Sequence, residues 1–467
     1  MKNALWLAAA VVIVFATYAP QFGTPFELQD DHRIIEPALA PHDGGLQMWL
    51  AAIAQDVHEV GRFRPVNQFF DVCLPLILGP NPLLWHALSL LLAIAVTVLL
   101  YLAGWHLWRS PAAAAVFALV TMLAPDPGPT ATWYRLGPKE AWGMLFLAAA
   151  LLCMVLRRDV FAFVLVVLTA LSKESFLLLV PALFAVRVWL GSHDRKTLRT
   201  LAVAYGLLFA AGCLGILFVM RSAGAHSYGG QSMAVTPKAI AATLLRDVAF
   251  TPSLAVWFIP VLLAWWQRRR TELVPLVLFT LWAGPQYLLY GTRGGFWDHY
   301  WIPCVVAFAA ANAAAIAALE RERWWLHAAL AVVAIWTINA VRIDAGAVEN
   351  FKVRATVQQA AVRIAAASLT PSSRLVVLGG PYEMGEIAPS FVEFVRFDGA
   401  RFRDALLLDP RSKIADADVI VNLAREPRRV PLGYTRHTAT GPQRFLSLRR
   451  RGWVTLPFSL DVDVRNR

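Results

Sequence analysis

Two adjacent carboxylates, Asp30 and Asp31, stand in the stretch FELQDDHRIIEPAL about ten residues beyond the first apolar segment. Such a pair can act as a general base, ligate a divalent cation such as Mg2+ or Mn2+, or do both. Taken alone it is as readily a solvated acidic turn. Further along lies GRFRP, with Arg62 and Arg64 on either side of a phenylalanine. Arginine offers a rigid fork of donors that fits a phosphate, whether of a substrate or of a lipid headgroup. In LSKES, Lys173 and Glu174 sit between two apolar segments with almost no loop. A charge there costs roughly 2.5–3.5 kcal/mol in a bilayer, so it lines a cavity or has a partner. A local Lys–Glu pair closing a helical hairpin would satisfy the same rule. Arg293 and His299 in GTRGGFWDHYWIP, and Arg135 in TWYRLGPKE, complete the set. Ordinary aromatic and basic anchors of a membrane interface would look alike.

These groups are carried on an apolar scaffold. Of 467 residues, 58% are hydrophobic and only 16% charged, with 18 tryptophans. An ordinary soluble chain has roughly 25% charged residues. Apolar segments long enough for bilayer helices recur from Ala4 to Val341. This pattern excludes a soluble enzyme, a disordered chain and a disulfide-rich secreted module, and it lacks the short alternating segments of a β-barrel. The spacing predicts about 11 transmembrane helices, at 4–20, 83–107, 111–125, 139–156, 160–171, 175–190, 200–220, 253–267, 272–290, 299–319 and 324–341. The first could be taken for a signal peptide, but Pro20 after the cleavage-like positions favours an uncleaved span. Cys73, Cys153, Cys213 and Cys304 show no CxxC or disulfide spacing and read as small packing residues.

Lys/Arg bias sets the orientation. With the N-terminus inside, one set of loops holds 13 Lys and Arg, including the dense runs LRRD, WQRRR and LERER. The opposite set holds 10 before the tail, spread over far longer loops. The dense side is therefore cytoplasmic. All five groups above then fall on the outer face, together with a long first loop, 21–82, bearing eight acids and three arginines. Val66–Leu78 in that loop reads as an interfacial helix, and the Gly/Ser-rich part of 221–252 as a mobile loop. The tail from Arg342 holds 20 Lys and Arg and 13 Asp and Glu. That excess fits membrane topology and anionic lipid, and no nucleic acid is expected as a partner. The tail reads as a small α/β domain, with a helix at Val353–Ala367 and buried strands at Arg374–Leu378 and Asp418–Leu423. The domains expected are thus 1–341, transmembrane and catalytic, and 342–467, small and periplasmic.

In this order the motifs resemble the GT-C superfamily of integral-membrane glycosyltransferases, and within it the O-mannosyltransferases that carry tetratricopeptide repeats. The resemblance covers roughly 1–320. It rests on Asp30-Asp31 in the first outer loop, on Arg64-Pro65 before an interfacial helix, and on an NxxxH-like helix start at His86 in PLLWHALSLLL. Leu171–Glu174 and the HYWIP element at His299–Pro303 follow. The chain departs in having Asp298-His299 where the late motif usually has an arginine, with Arg293 as the substitute, and in having the small tail domain instead of repeats.

The resemblance implies an all-α polytopic GT-C-like fold. It implies transfer of a sugar, with inversion, from a polyprenyl-phosphate carrier to a glycan, lipid or protein acceptor at the outer membrane face. Asp30 would be the general base and Asp31 would orient the acceptor or assist through a metal. Arg62, Arg64 and Lys173, with Arg135 and Arg293, would bind the donor phosphate, supported by Glu174 and His299. The expected home is a bacterial inner membrane. A lipid-linked-substrate transporter would instead place polar groups at mid-span. A membrane-anchored binding or scaffold protein would work through the tail.

Overall fold

A computed structural model describes residues 2–28, 31–39, 45–123, 133, 139–191, 194–222, 262, 266, 282, 302–412, 414, 417–424, 429–447 and 452–466. The expected spans 253–267 and 272–290 and the Gly/Ser-rich loop lie outside these residues, except for isolated positions.

The described residues are mostly helical (72%), with a small C-terminal sheet. In chain order the helices are α1 (Lys2–Tyr18), α2 (His32–Leu39), α3 (Gly45–Gln55), α4 (Pro65–Leu78), α5 (Pro82–Trp108), α6 (Pro111–Met122) and α7 (Lys139–Val155). They continue with α8 (Asp159–Ser172), α9 (Glu174–Leu177), α10 (Val180–Trp189), α11 (Arg195–Ser222), α12 (Ile302–Leu319) and α13 (Arg323–Ser368). Among the described residues, four helices are long and apolar enough to cross a membrane: Asn3–Gln21, Pro82–Trp108, Arg195–Val219 and Arg323–Ser368. Shorter apolar helices occupy Pro65–Leu78, Pro111–Met122, Glu140–Val155, Asp159–Ser172 and Val305–Leu319.

The described chain falls into two units. The first comprises Met1–Ala19, Leu46–Phe70 and Leu88–Ala345. Its helix α6 is buried from Ala112 to Met122 except at Leu119, which is half-buried. Small alanines let α1 and α12 pack against it. Ser110 starts it, accepting a hydrogen bond from the Ala113 N–H (3.1 Å) ahead of Pro111 in the first turn. Glycines set two close approaches. A Cβ on Gly143 of α7 would lie 2.5 Å from Phe176, and one on Gly212 of α11 would lie 2.5 Å from Leu177. The short α9 is therefore gripped from both sides by helices that meet it at glycine.

The second unit comprises Pro20–Gly45, Asp71–Ala87 and Gly346–Arg467. It joins first-loop segments to the tail. Its sheet holds β1 (Arg374–Leu378), β2 (Asp404–Leu408), β3 (Val419–Asn422), β4 (Tyr434–Ser447) and β5 (Gly452–Arg465), in the order β2-β1-β3-β5-β4. β1 runs parallel to β2 and β3, whereas β5 is antiparallel to β3 and β4. Val376, Leu378, Ala417 and Ile420 form its core. A helix α14 (Pro381–Phe397) follows β1 across Gly379-Gly380 and packs against α2. The expected tail helix is the end of α13, which runs unbroken through Arg342. The hydropathy falls there, but the Ala- and Val-rich sequence sustains the helix.

Candidate functional site

In the second unit, Asp30 lies outside the described residues, and Asp31 stands at the entrance to α2. It is buried, and its Oδ2 accepts the Glu27 N–H at 2.7 Å. Its carbonyl accepts the Ile34 N–H at 3.0 Å, the first turn of α2. The acid thus ties back to Glu27 and opens a helix, two duties that fit aspartate. Arg33 of α2 reaches Asp71 at 3.8 Å.

His86, in the first turn of α5, is buried with one ring nitrogen 3.1 Å from the Thr24 carbonyl. Asn81 caps that turn, its side-chain oxygen accepting the Leu83 N–H at 3.1 Å. The other ring nitrogen, the Thr24 hydroxyl and both polar atoms of the Gln21 side chain are buried with no hydrogen-bond partner. Buried polar atoms of this kind are normally satisfied by water or a ligand's hydroxyls. Sequence reasoning singled out His86 but not Gln21 or Thr24, since neutral side chains in a turn carry no signal of their own.

Glu393 of α14 is an acid of this unit whose carboxyl is shifted upward. Burial and the like charge of Glu36 push its carboxyl up to about 7, against the opposing pull of Arg396 and Arg33. A carboxyl raised above its unfolded value stabilises the fold while protonated, and that contribution is lost as pH rises from about 4.5 through about 7. Thermal midpoints across this window should fall for the wild type. For Glu393→Gln, which stays neutral, that part of the profile should be flat.

In the first unit, Arg64 is held by the chain that precedes it. A π-helical turn, Asp56–Val60, ends at Gly61 with φ +69°, a left-handed conformation that suits glycine. The chain doubles back, and the Arg62 N–H donates to the Asp56 carbonyl at 3.1 Å. Arg64 then meets the Asp56 carboxylate through Nε (3.1 Å) and Nη2 (2.7 Å), both side chains almost wholly buried. Pro65 starts α4 directly afterwards, and its carbonyl accepts the Trp49 indole N–H at 2.7 Å.

Lys173 is the extended residue (φ −161°, ψ 148°) that separates α8 from α9. It is buried and forms an ion pair with Glu140 of α7. Its partner is therefore not the adjacent Glu174, whose Oε1 is buried with no hydrogen-bond partner. Arg187 of α10 is likewise buried against Asp159, with Nη2 2.9 Å from Oδ2.

Thus the structure sets the Arg64 side chain and the Arg62 backbone N–H on Asp56 and gives Lys173 to Glu140. Asp31 belongs to the other unit. Arg135, Arg293 and His299 lie outside the described residues. Asp56 and Glu140 were missed as partners because each meets its cation only through a fold-back or a neighbouring helix. Among the described residues no group of three or more His, Cys, Asp and Glu gathers as a metal site. Compared with protein-family models and with curated proteins, the chain matches none.

Proposed function

We propose that this protein is a multi-pass, GT-C-like glycosyltransferase. It moves a sugar from a polyprenyl-phosphate carrier to an acceptor on the periplasmic face of a bacterial inner membrane. In this reading the acceptor hydroxyl gives its proton to the Asp30 carboxylate. Its oxygen attacks the anomeric carbon from the face opposite the phosphate. The bond from that carbon to the phosphate oxygen breaks, and the electron pair leaves with the polyprenyl phosphate, so the configuration inverts. Asp31 fixes the acidic stretch at the start of α2. Arg62, Arg64 and Lys173, with Arg135 and Arg293, offset the charge that develops on the leaving phosphate, with Glu174 and His299 in support. A phosphate is already a good leaving group, so no acid is assigned.

The observation that carries the proposal is the placement of charge in the apolar helical unit. Arg64 and Lys173 sit where helices start or break, each buried with a carboxylate. Ionisable groups kept in such surroundings are costly unless paired, and commonly serve a substrate path. Asp56 takes the Nε and Nη2 edge of the Arg64 guanidinium, and the proposal gives the other edge to the donor phosphate. The order of the acidic, RP, LSKE and HYWIP motifs is the second support.

The test is turnover of a panel of polyprenyl-phospho-sugars by the purified protein, with the anomeric configuration of the released or transferred sugar read by NMR. One donor should be consumed, and its product should be inverted. A retained configuration would contradict the base mechanism.

A further inference from the structure

The stretch that leads into the acidic pair is held from outside the first loop. Three residues of α13 hold it, and they lie on one side of that helix. The Leu28 N–H donates to Gln358 Oε1 at 3.0 Å, a buried bond. One residue on, Gln359 donates from Nε2 to the Phe26 carbonyl at 2.9 Å. One turn back, Arg354 forms an ion pair with Glu27, its guanidinium stacked over Phe351 at 4.0 Å. Phe26 itself packs on Phe394 of α14 at 5.8 Å between ring centroids. Consecutive residues Phe26, Glu27 and Leu28 are thus each fixed by a separate side chain of the C-terminal segment. The next links are local: the Glu27 N–H binds Asp31, and Asp31 starts α2, which rests on α14.

The same helix row continues to the sheet. Asn350, one turn before Arg354, accepts the Arg444 N–H at 2.7 Å with its side chain and the Gln443 amide with its carbonyl at 3.0 Å. A Cβ on Gly441 would lie 2.7 Å from Val353, so β4 lies close on this helix. Residues three and four apart share a helix face, so one face of α13 bears the hairpin at 350 and the acidic-pair stretch at 354 and 358.

We propose that Gln358 and Gln359, with Arg354, are positioning residues for Asp31, acting through the stretch Phe26–Leu28 that leads to it. The C-terminal domain then belongs to the catalytic apparatus and is not an appended module. Its role in chemistry rests on the glycosyltransferase reading above; the hold on Phe26–Leu28 does not. The hydrogen-bond directions give the proposal a signature. Position 358 must accept a hydrogen bond, so Gln358→Glu preserves the hold and Gln358→Ala removes it. Position 359 must donate, so Gln359→Glu sets a carboxylate against a carbonyl and removes it.

The experiment uses the full chain in lipid nanodiscs. Amide hydrogen exchange over residues 26–31 is measured beside steady-state transfer from whichever polyprenyl-phospho-sugar the wild type turns over. Gln358→Ala and Gln359→Glu should speed exchange by roughly tenfold or more, as local opening becomes easier. They should lower kcat by up to roughly 10²-fold, the cost of a misplaced group, with KM for the donor unchanged. Gln358→Glu should match the wild type in both. Unchanged exchange in Gln358→Ala and Gln359→Glu would overturn the positioning role and leave the glycosyltransferase reading standing. Faster exchange with undiminished transfer would show that the stretch is held but does no chemistry, which overturns the proposal together with the assignment of the acidic pair. Equal loss in Gln358→Glu and Gln358→Ala would also count against it.

Discussion

Asp30→Asn should lose transfer by about 10²–10⁴-fold while still binding the bare polyprenyl phosphate as tightly as the wild type. A general base contributes on that scale, and asparagine keeps the size of the side chain while losing the ability to take a proton. In the proposed site cations bind the donor's phosphate, so binding should not sense the change. Asp31→Asn should behave differently. Asp31 is buried and its carboxylate accepts the Glu27 N–H in a charge-assisted bond, which the neutral amide weakens, loosening the stretch as well as disturbing the chemistry. Its variant should show faster amide exchange over 26–31, whereas Asp30→Asn should not. Steady-state transfer, lipid binding and exchange on the two variants separate these roles.

Asp56→Asn should destabilise the protein by about 3–5 kcal/mol, the usual cost of leaving a buried charge without its partner. The Arg64 guanidinium and the Asp56 carboxylate are both almost fully buried and joined by more than one hydrogen bond. Neutralising the acid strands the cation. The double variant Asp56→Leu with Arg64→Met should recover most of the loss, because apolar residues of similar volume often replace a buried pair at little cost. Unfolding in mixed micelles of increasing SDS fraction reads both. The double variant also tests function: folded, yet without Arg64, it should bind polyprenyl phosphate more weakly. Full recovery of stability with undiminished lipid binding would remove Arg64 from the donor site.

Much of the helical framework was legible in the sequence, since apolar length and punctuation mark helices strongly. α5 begins at Pro82 and α4 at Pro65, where proline favours the first turn. The break at Lys173 falls between the two apolar segments that flank it. Arg374–Leu378 and Asp418–Leu423 were readable because short, continuous apolar runs suit buried strands, and the strands found are β1 and β3. The β4–β5 hairpin was not anticipated. Its strands contain Gly441, Pro442 and Pro457, residues that argue against a strand in a sequence, and depend on cross-strand pairs such as Arg436–Asp463. Of the candidate site, the cations at 62, 64 and 173 were visible from their odd placement among apolar residues. Their partners Asp56 and Glu140 were not, because a pairing made by a glycine-terminated fold-back or between helices has no fixed sequence spacing. Gln358 and Gln359 were silent for a further reason: their role lies in backbone groups some 330 residues away in the chain.

The most direct measurement takes the wild type and Asp30→Asn in nanodiscs, with release of polyprenyl phosphate from each donor of the panel and binding of the bare carrier lipid followed together. The account predicts that the wild type consumes one donor, and that the variant binds the carrier equally well yet consumes that donor about 10²–10⁴-fold more slowly. Equal consumption by both proteins would remove Asp30 as the base. Folded protein that neither binds the carrier nor consumes any donor would contradict the glycosyltransferase reading itself.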